Sequence, residues 1–296
     1  MRVSIVGLGT VGMALSQRLR RAGYEVAGWH QDPRRVHAFA DMGGTPVAGV
    51  AELAAVADVC FWALPSIAAE RAATDEMLRS NRLPAVIAEL STLPIDAKIE
   101  TRDRFAGMGT IVLDCAISGT GAQIAAGDAV VYASGDRTAL AGTTTYLRRF
   151  AQSVFDVGDF GNGSSVKYIA KLLVAVHNVV TAEALGLARK LGFDQEQVFE
   201  SVSAGAATSR MFEIRGRLTL DERYEPPTAT ISLFQEDIGI VRERARAVGA
   251  ATPMLGACAP IYDLAAEGGL ANRDPAAVYR ALSPGPSSEP RNSPCT

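Results

Sequence analysis

A glycine pattern near the N-terminus constrains the fold of this chain more than any other feature. Gly7, Gly9 and Gly12 directly follow a short β-branched run, Arg2–Val6, and directly precede a helical stretch at 13–22. In such a strand–turn–helix the glycines let the backbone turn tightly and approach a pyrophosphate, which the helix N-terminus then holds. The order therefore predicts dinucleotide binding. The predicted contacts are Gly7, Leu8, Gly9, Thr10, Val11 and Gly12.

Strands and helices alternate through the first half of the chain. After the first strand, apolar runs at Glu25–Trp29, 58–64, 85–90, 111–116 and Ala129–Ser134 predict further strands. Helical segments separate most of these runs, and this alternation is typical of a parallel sheet with helices on both faces. The predicted fold class is α/β, with an N-terminal Rossmann-type, doubly wound parallel sheet.

Four positions stand out because they lie where predicted strands end. On a doubly wound sheet, ligands bind outside the carboxyl ends of the strands. Gly7, Pro65, Thr92 and Ser118 all occupy such ends or the turn just after them. Each is therefore a candidate site residue by position alone.

The residues after the second strand indicate which dinucleotide binds. An acidic side chain at this point would hold a ribose 2′-hydroxyl, as in NAD. The sequence has Trp-His-Gln at 29–31 instead, and Asp32, followed by proline, is typical of a helix N-cap. Arg34 and Arg35 on the first helical turn could accommodate a 2′-phosphate, so NADP(H) is favoured over NAD(H). The predicted contacts here are His30, Gln31, Arg34 and Arg35.

The pattern becomes helical after residue 156. One long apolar segment without proline, 164–191, predicts a helix about 40 Å long that ends before Gly192. Asp194 is typical of the cap of another helix, with Gln197 three residues later as in a capping box. Further helical segments follow near 200–203, 209–218, 233–248, 254–267 and 275–282.

These patterns predict three parts. We expect a Rossmann domain over 1–160 and an all-α domain over 161–282, which begins with the long interdomain helix. The remainder, 283–296, is rich in proline and serine and lacks apolar periodicity, so we predict that it is disordered.

The composition excludes several classes of partner. Charged residues make up 21% of the 296 and the net charge is −3, which is not the basic balance of a protein that binds nucleic acid or an anionic membrane. No stretch approaches about 20 uninterrupted apolar residues, so no membrane span is predicted. The four cysteines form no CxxC and there are only three histidines, so we predict no metal site. Reduced thiols in the cytoplasm are the simplest interpretation.

Four segments carry a family resemblance, which in order and spacing covers about residues 1–282. They are VGLGTVGMAL at 6–15, ELSTLP at 89–94, DCAISGTGAQIAAGDAVVYASG at 114–135 and GNGSSVKYIAK at 161–171. In this order they are similar to the nucleotide fingerprint, the Ser-Thr turn near the nicotinamide, the substrate-binding stretch and the catalytic lysine motif of the β-hydroxyacid dehydrogenase family. That family includes 3-hydroxyisobutyrate dehydrogenase and tartronate semialdehyde reductase.

The resemblance implies an activity and a set of site residues. It implies an NAD(P)-dependent oxidoreductase that transfers hydride between nicotinamide and a small β-hydroxyacid or aldehyde acid. The lysine of the motif falls on Lys167, which would be the general acid/base. The implied substrate contacts are Ser118, Gly119 and Thr120, and the implied cofactor contacts are Leu64, Pro65 and Thr92. Members of the family commonly pair their subunits, so a homodimer or higher homo-oligomer is expected.

The residues themselves agree with a catalytic lysine. Oxidising an alcohol by hydride transfer needs a group that takes the hydroxyl proton, and reducing a carbonyl needs one that gives it. A lysine does either when burial and a neighbouring positive charge lower its pKa toward neutrality. Lys167 and Lys171 are four residues apart and share a helix face. From the helix alone, two solvated lysines are the simpler interpretation; the preceding glycine turn and Ser118 favour the catalytic one for Lys167.

Two departures from the family pattern leave other functions open. Lys171 stands where the family has an asparagine, and Glu236 stands where it has a lysine. We expect these two residues to form an ion pair across the cleft and to contact the substrate. Because Glu236 would repel a carboxylate or attract an ammonium group, a reductase of imines or amino-substituted carbonyls is the alternative. A non-catalytic nucleotide-binding protein of the same fold is a third, which Lys167 and Ser118 argue against.

Overall fold

The chain folds into two compact units. In the computed structural model, which describes residues 2–283, the division falls between Ala170 and Lys171. It lies inside one continuous helix of 29 residues, Asn162–Lys190. The sequence predicted the boundary between residues 160 and 161, just before this helix. In the structure the first turns of the helix belong to the first unit. Apart from Ser283, the predicted disordered tail lies outside the described residues.

The first unit contains one eight-stranded sheet. Its strands are β1 (Arg2–Val6), β2 (Glu25–Trp29), β3 (Thr45–Pro46), β4 (Val59–Trp62), β5 (Val86–Glu89), β6 (Ile111–Ser118), β7 (Ala129–Ser134) and β8 (Ala151–Asp156). Their order is β3-β2-β1-β4-β5-β6-β7-β8, and all neighbours are parallel except β6 and β7. The chain starts at an inner strand and winds outward in both directions, which confirms the predicted doubly wound class.

Helices cover both faces of this sheet. They are α1 (Thr10–Arg21), α2 (Pro33–Asp41), α3 (Val50–Val56), α4 (Ile67–Met77), α5 (Ile95–Phe105), α6 (Gly121–Ala126) and α7 (Arg137–Leu147). Successive side chains of a strand point to opposite faces. In β1, Val3 and Ile5 accordingly pack into one apolar cluster and Val6 into another. Burial on both sides explains why the strand sequences are continuous apolar runs.

Three features of the sheet differ from the sequence prediction. β7 runs antiparallel to β6 because their connection contains only the six-residue α6 and is too short for the crossover that a parallel pair needs. β3 has two residues, one of them Pro46, and so offers no apolar run. β8 is an edge strand whose residues, apart from Ala151, are exposed or half-buried, so its sequence shows no clear alternation of apolar and polar residues.

The second unit is helical. After α8 (Asn162–Lys190) come α9 (Gln195–Ser203), α10 (Arg210–Leu220), α11 (Ile231–Ala247), α12 (Pro253–Ala265) and α13 (Val278–Leu282), with short helical turns at Ala266–Leu270 and Pro275–Ala277. Gly192 follows the long helix at φ 79°, and Asp194 caps the next one by accepting the N–H of Glu196. The described part of this unit contains no strand, as the sequence predicts.

By length and composition alone, α8 could cross a membrane. Core helices of soluble proteins pass the same test, and 39% of its most apolar stretch is buried inside this structure. The absence of a membrane span therefore stays a prediction from the sequence.

A buried ion pair holds the end of the helical unit in place. Asp274 and Arg215 pair with side chains only 2% and 6% exposed. The same carboxylate accepts the N–H of Thr228 at 3.1 Å and its hydroxyl at 2.8 Å. Such a pair is tolerated because each group has partners, and the loss of one partner leaves a buried charge uncompensated.

Asp274→Ala should therefore destabilise the protein by about 3–5 kcal/mol, since Arg215 would keep its charge without a counter-ion. Thermal unfolding followed by circular dichroism measures the change. Glu25→Ala is the control, because it removes a carboxylate from an exposed pair with Arg2 and should leave the midpoint close to that of the wild type. Similar shifts for the two variants would contradict a stabilising role for the buried pair.

Candidate active site

The glycine turn between β1 and α1 has the geometry of a pyrophosphate cradle. Gly7 lies in the left-handed region at φ 95°, and a Cβ on it would overlap the carbonyl oxygen of Ala63. A Cβ on Gly12 would overlap the carbonyl oxygen of Gly7, so the helix packs directly on the turn. At Gly9, by contrast, a Cβ would meet nothing within 4 Å. The turn thus leaves open space at the glycine where a dinucleotide approaches the backbone.

The N-terminus of α1 offers N–H groups to that space. The first helical bond runs from the N–H of Met13 to the carbonyl of Gly9 at 2.9 Å, so the N–H groups of residues 10–12 have no partner within the helix. No side chain caps this end, and its first turn has no acidic residue, so the positive end of the dipole fits an anion. The side chains of Leu8 and Val11 pack into the core, which leaves only their backbone for a ligand.

At the end of β2, polar groups bond to one another. His30 Nδ1 accepts the N–H of Asp32 at 2.9 Å, and burial and the charge of Arg35 lower the pKa of His30. Asp32 caps α2 by accepting the N–H of Arg34 at 3.0 Å, and it pairs with the same guanidinium at 2.9 Å. The N-cap prediction for Asp32 is confirmed. Gln31 and Arg35 are exposed.

A buried serine joins the loops after β4 and β5. Ser91, 6% exposed, accepts the N–H of Leu64 at 2.8 Å through its hydroxyl. Its own N–H donates to Glu89 Oε1 at 2.8 Å. Pro65 is exposed and Thr92 half-buried. Sequence reasoning selected Thr92 and missed Ser91, although the Ser-Thr turn was the signal that could have found it.

The predicted substrate segment leaves the sheet at the same edge. Because β1, β4, β5 and β6 are parallel neighbours, their carboxyl ends lie together. Ser118, the last residue of β6, is half-buried, and Gly119 is exposed at φ 153°. Thr120 caps α6 in a reciprocal pair of bonds with Gln123, in which its hydroxyl oxygen accepts an N–H. Thr10 is exposed and lies close to the start of α6.

A fully buried lysine lies between two carboxylates at the end of β5. Lys98 Nζ is 2.5 Å from Glu89 Oε2 and 2.9 Å from Asp114 Oδ1. Burial alone would lower the pKa of Lys98, but the two negative charges raise it above its usual value, so the amine is an ammonium. Sequence reasoning missed all three residues. Asp114 carried a signal, a charge inside an apolar strand, whereas Lys98 on its helix carried none.

A further buried carboxyl belongs to this group. Glu70 is 1% exposed; its burial, followed by the negative charge of Glu89, raises the pKa of Glu70 to about 7. Burial likewise raises the pKa of Glu89. Glu70 therefore holds a proton part of the time near neutral pH, which limits the negative charge around Lys98. Within residues 2–283, no three or more His, Cys, Asp and Glu side chains are arranged to hold a metal ion.

The start of α8 is bonded to this charge cluster. The N–H of Ser164 donates to Asp114 Oδ2 at 2.7 Å, and its hydroxyl donates to Oδ1 at 2.8 Å. The N–H of Gly163 donates to the hydroxyl of Ser134 at 3.0 Å. A Cβ on Gly163 would press against the carbonyl oxygens of Tyr132 and Asp114. The helix therefore begins in direct contact with β6 and β7.

Lys167 lies between two anchored residues of this helix. It follows Ser164 by three residues and directly precedes Tyr168, whose hydroxyl donates to the carbonyl of Leu93 at 2.5 Å. Leu93 belongs to the loop after β5. Lys167 itself is 8% exposed. The structure thus holds this lysine, buried, on a helix tied to the edge where the predicted cofactor contacts meet.

The predicted partner of Lys171 is wrong by one residue. In the second unit, Lys171 pairs with Asp237 and its Nζ lies 5.5 Å from the centre of the Phe234 ring. Glu236, the expected partner, is exposed. Successive side chains on a helix point about 100° apart. On α11 it is Asp237, 5% exposed, that faces inward and balances the lysine.

Two family models match the chain. One, described as the NAD binding domain of 6-phosphogluconate dehydrogenase, matches residues 2–158. The other, described as NAD-binding of NADP-dependent 3-hydroxyisobutyrate dehydrogenase, matches residues 161–282. Both agree with the glycine turn and with the lysine helix, which fall in the first and the second match respectively.

Individual proteins agree with these models. An L-threonate dehydrogenase of Cupriavidus necator is 31% identical over 287 residues, covering 94% of this chain and 95% of its own. A 3-hydroxyisobutyrate dehydrogenase structure from Salmonella typhimurium is 27% identical, with a TM-score of 0.83 over 95% of this chain and 99% of its own. One from Mycobacterium tuberculosis with L-serine is 25% identical, with a TM-score of 0.85 over 95% and 98%. Together with the turn, the sheet edge and the lysine helix, these matches show that the chain belongs to the β-hydroxyacid dehydrogenase family of NAD(P)-dependent oxidoreductases.

Proposed function

We propose that this enzyme transfers hydride between NADP(H) and a short hydroxyacid, with Lys167 moving the proton. The observation that carries the proposal is the placement of Lys167. It is a buried lysine between Ser164 and Tyr168, and both neighbours bond to the sheet unit that contains the glycine turn. An amine fixed on a rigid element is what proton transfer to a positioned substrate requires.

The chemistry divides between cofactor and protein. Nicotinamide, when bound, accepts a hydride from the alcohol carbon or returns one to the carbonyl carbon. Lys167 takes the hydroxyl proton in the oxidation and gives a proton to the carbonyl oxygen in the reduction. Because Lys167 is only 8% exposed, bulk water competes little for that proton.

The substrate carboxylate is assigned to the segment that follows β6. Ser118 is half-buried at the strand end and carries a hydroxyl, and the exposed Gly119 leaves its backbone open to a ligand. Thr120 caps α6 by accepting an N–H through its hydroxyl oxygen, and its O–H is a second donor available to the carboxylate. A carboxylate held there would lie at the edge of the sheet that also carries Leu64 and Thr92.

A four-carbon polyhydroxy acid is the first choice of substrate. The relative from Cupriavidus necator named L-threonate dehydrogenase matches nearly the whole chain at 31% identity. The Salmonella and Mycobacterium structures, named 3-hydroxyisobutyrate dehydrogenases, favour another short hydroxyacid as the next choice. Both are small acids with a hydroxyl group, the class that the lysine and the Ser118 segment suit.

The preference for NADP(H) is assigned to Arg35. Asp32 is used as the cap of α2 and is paired with Arg34, so this carboxylate is engaged rather than offered to a ribose hydroxyl. The same pair engages the Nε and Nη2 groups of Arg34, so this side chain is less free to turn toward a phosphate. Arg35, which is exposed beside this pair, is the residue that would meet a 2′-phosphate.

The imine alternative loses its premise. It required Glu236 to face the substrate in a pair with Lys171, whereas Lys171 pairs with Asp237 and Glu236 is exposed. The pair of Lys171 and Asp237 therefore gives no reason to expect an amino-bearing substrate. Family membership and the buried Lys167 also favour an enzyme over a non-catalytic nucleotide-binding protein.

We also propose that α8 pairs with a second copy of the chain. Leu173, Val180 and Leu187 are 49%, 45% and 60% exposed and recur every seven residues, with Leu191, 63% exposed, continuing the stripe. A seven-residue apolar repeat forms a seam that suits a partner helix. A stripe from Leu173 to Leu191 is about 27 Å long, enough for several turns of contact.

Lys167→Ala should lower kcat about a hundredfold or more, because proton transfer is lost, while the Kd for NADPH stays close to that of the wild type. Steady-state kinetics with L-threonate, 3-hydroxyisobutyrate and aldehyde acids measures kcat, and a titration followed by NADPH fluorescence measures the Kd. Lys190→Ala, at the exposed end of the same helix, is the control and should be fully active. An active Lys167→Ala enzyme would overturn the assignment.

Arg35→Ala should raise the KM for NADPH about tenfold and leave the KM for NADH nearly unchanged, because only NADPH carries the 2′-phosphate. Arg34→Ala is the matched control and should change the ratio of the two KM values much less, since its guanidinium is held by Asp32. An equal effect of Arg35→Ala on both cofactors would show that Arg35 does not recognise the phosphate.

Leu187→Glu should convert the oligomer to a monomer, because a charge in the apolar seam cannot be desolvated without cost. Sedimentation velocity measures the mass in solution. Met108→Glu, which changes a 51% exposed residue of the first unit, is the control and should leave the assembly intact. A monomeric wild type, or an unchanged Leu187→Glu oligomer, would reject α8 as the interface.

A further inference from the structure

An unbroken series of polar contacts runs through the first unit, from a cofactor loop to the catalytic helix. It begins where the N–H of Leu64 donates to the hydroxyl of Ser91 at 2.8 Å. The N–H of Ser91 donates to Glu89 Oε1 at 2.8 Å, and Glu89 Oε2 lies 2.5 Å from Lys98 Nζ. The series therefore reaches from the loop after β4, through the end of β5, to α5.

The second half of the series leads to the start of α8. Lys98 Nζ donates to Asp114 Oδ1 at 2.9 Å. Asp114 then accepts both the hydroxyl and the N–H of Ser164, at 2.8 and 2.7 Å. Lys98, Glu89 and Asp114 are 0% exposed, and Ser164 is 1% exposed. Water is thus kept from every link between the two carboxylates and the helix.

Such an arrangement is not needed for stability alone. Replacing a buried ionic cluster by apolar residues of similar volume is often neutral or stabilising, because desolvating the charges offsets their attraction. Apolar packing, however, fixes no direction, whereas a hydrogen bond fixes both distance and angle. A buried charge cluster that ends on the N–H and hydroxyl of one helical residue is suited to setting the position of that helix.

We propose that Lys98 and Asp114 are positioning residues that set the reach of Lys167 relative to the cofactor loops. Asp114 holds Ser164, which lies one helical turn before Lys167. Lys98 holds Asp114 on one side and, through Glu89 and Ser91, the loop of Leu64 on the other. The inference rests on the proposed function, since it assumes that Lys167 is the proton-transfer group.

Ser164→Ala tests the arm toward the helix. This variant removes the hydroxyl bond to Asp114 and leaves the bond from the N–H, so the fold is kept while the helix start is less constrained. We expect kcat to fall about tenfold, because small displacements of a catalytic group are costly, with the KM for NADPH nearly unchanged. Ser165→Ala is the matched control on the same turn, because its hydroxyl donates only to the carbonyl of Gly161. It should retain the wild-type kcat at a similar Tm.

Lys98→Met tests the junction of the two arms. We expect both a lower kcat and weaker NADPH binding in this variant, because the helix and the loop lose their common anchor. If the protein with Lys98→Met does not fold, Ser91→Ala examines the second arm by itself. Its expected result is the reverse split, a higher Kd for NADPH with kcat at saturation nearly unchanged.

The outcomes separate the inference from the function on which it rests. If Lys167→Ala is inactive but Ser164→Ala and Ser165→Ala have equal kcat values, the positioning role is wrong and the proposed function stands. The positioning role is also wrong if Ser164→Ala loses activity only in proportion to a loss of Tm. If Lys167→Ala retains full activity, the proposed function itself is wrong, whatever the serine variants show.

Discussion

One ammonium group, buried between two carboxylates, connects the elements of the first unit on which the site depends. Lys98 contacts Glu89 at the end of β5 and Asp114 in β6, and all three side chains are closed to solvent. Buried charges are tolerated only where each has partners in good geometry. Asp114 meets this condition because it also accepts two hydrogen bonds from Ser164. The start of α8 therefore helps to stabilise a buried charge inside the sheet domain.

The site then follows from parallel topology. The carboxyl ends of neighbouring parallel strands meet at one edge, and the turns that leave this edge carry the groups that bind a ligand. Gly7 and Ala63 touch through their backbones there, and Ser91 joins the next two loops through one hydroxyl. Rigid elements supply the precision, while exposed turns such as the one at Gly119 supply the access.

Local pattern predicted the parts of this structure that depend on local physics. The predicted bounds of β1, β2 and β7 agree with the structure to the residue, and the cap at Asp32 is confirmed. Strands and caps depend mainly on residues that are neighbours in the sequence. The antiparallel direction of β7 depends on the length of the connection between β6 and β7, which an alternation of strands and helices does not reveal. The Lys98 cluster joins residues far apart in the chain, and the choice of Asp237 over Glu236 depends on which way α11 faces, so neither is visible in periodicity.

The tight start of α8 limits where this helix can change. Any side chain at position 163 would push against the backbones of β6 and β7, so a substitution there would displace the whole of α8. Position 171, two turns along, lies just beyond the division between the compact units and is partly open to solvent. A change at position 171 would therefore alter the side chains beyond Lys167 and leave the start of the helix, and Lys167 itself, in place.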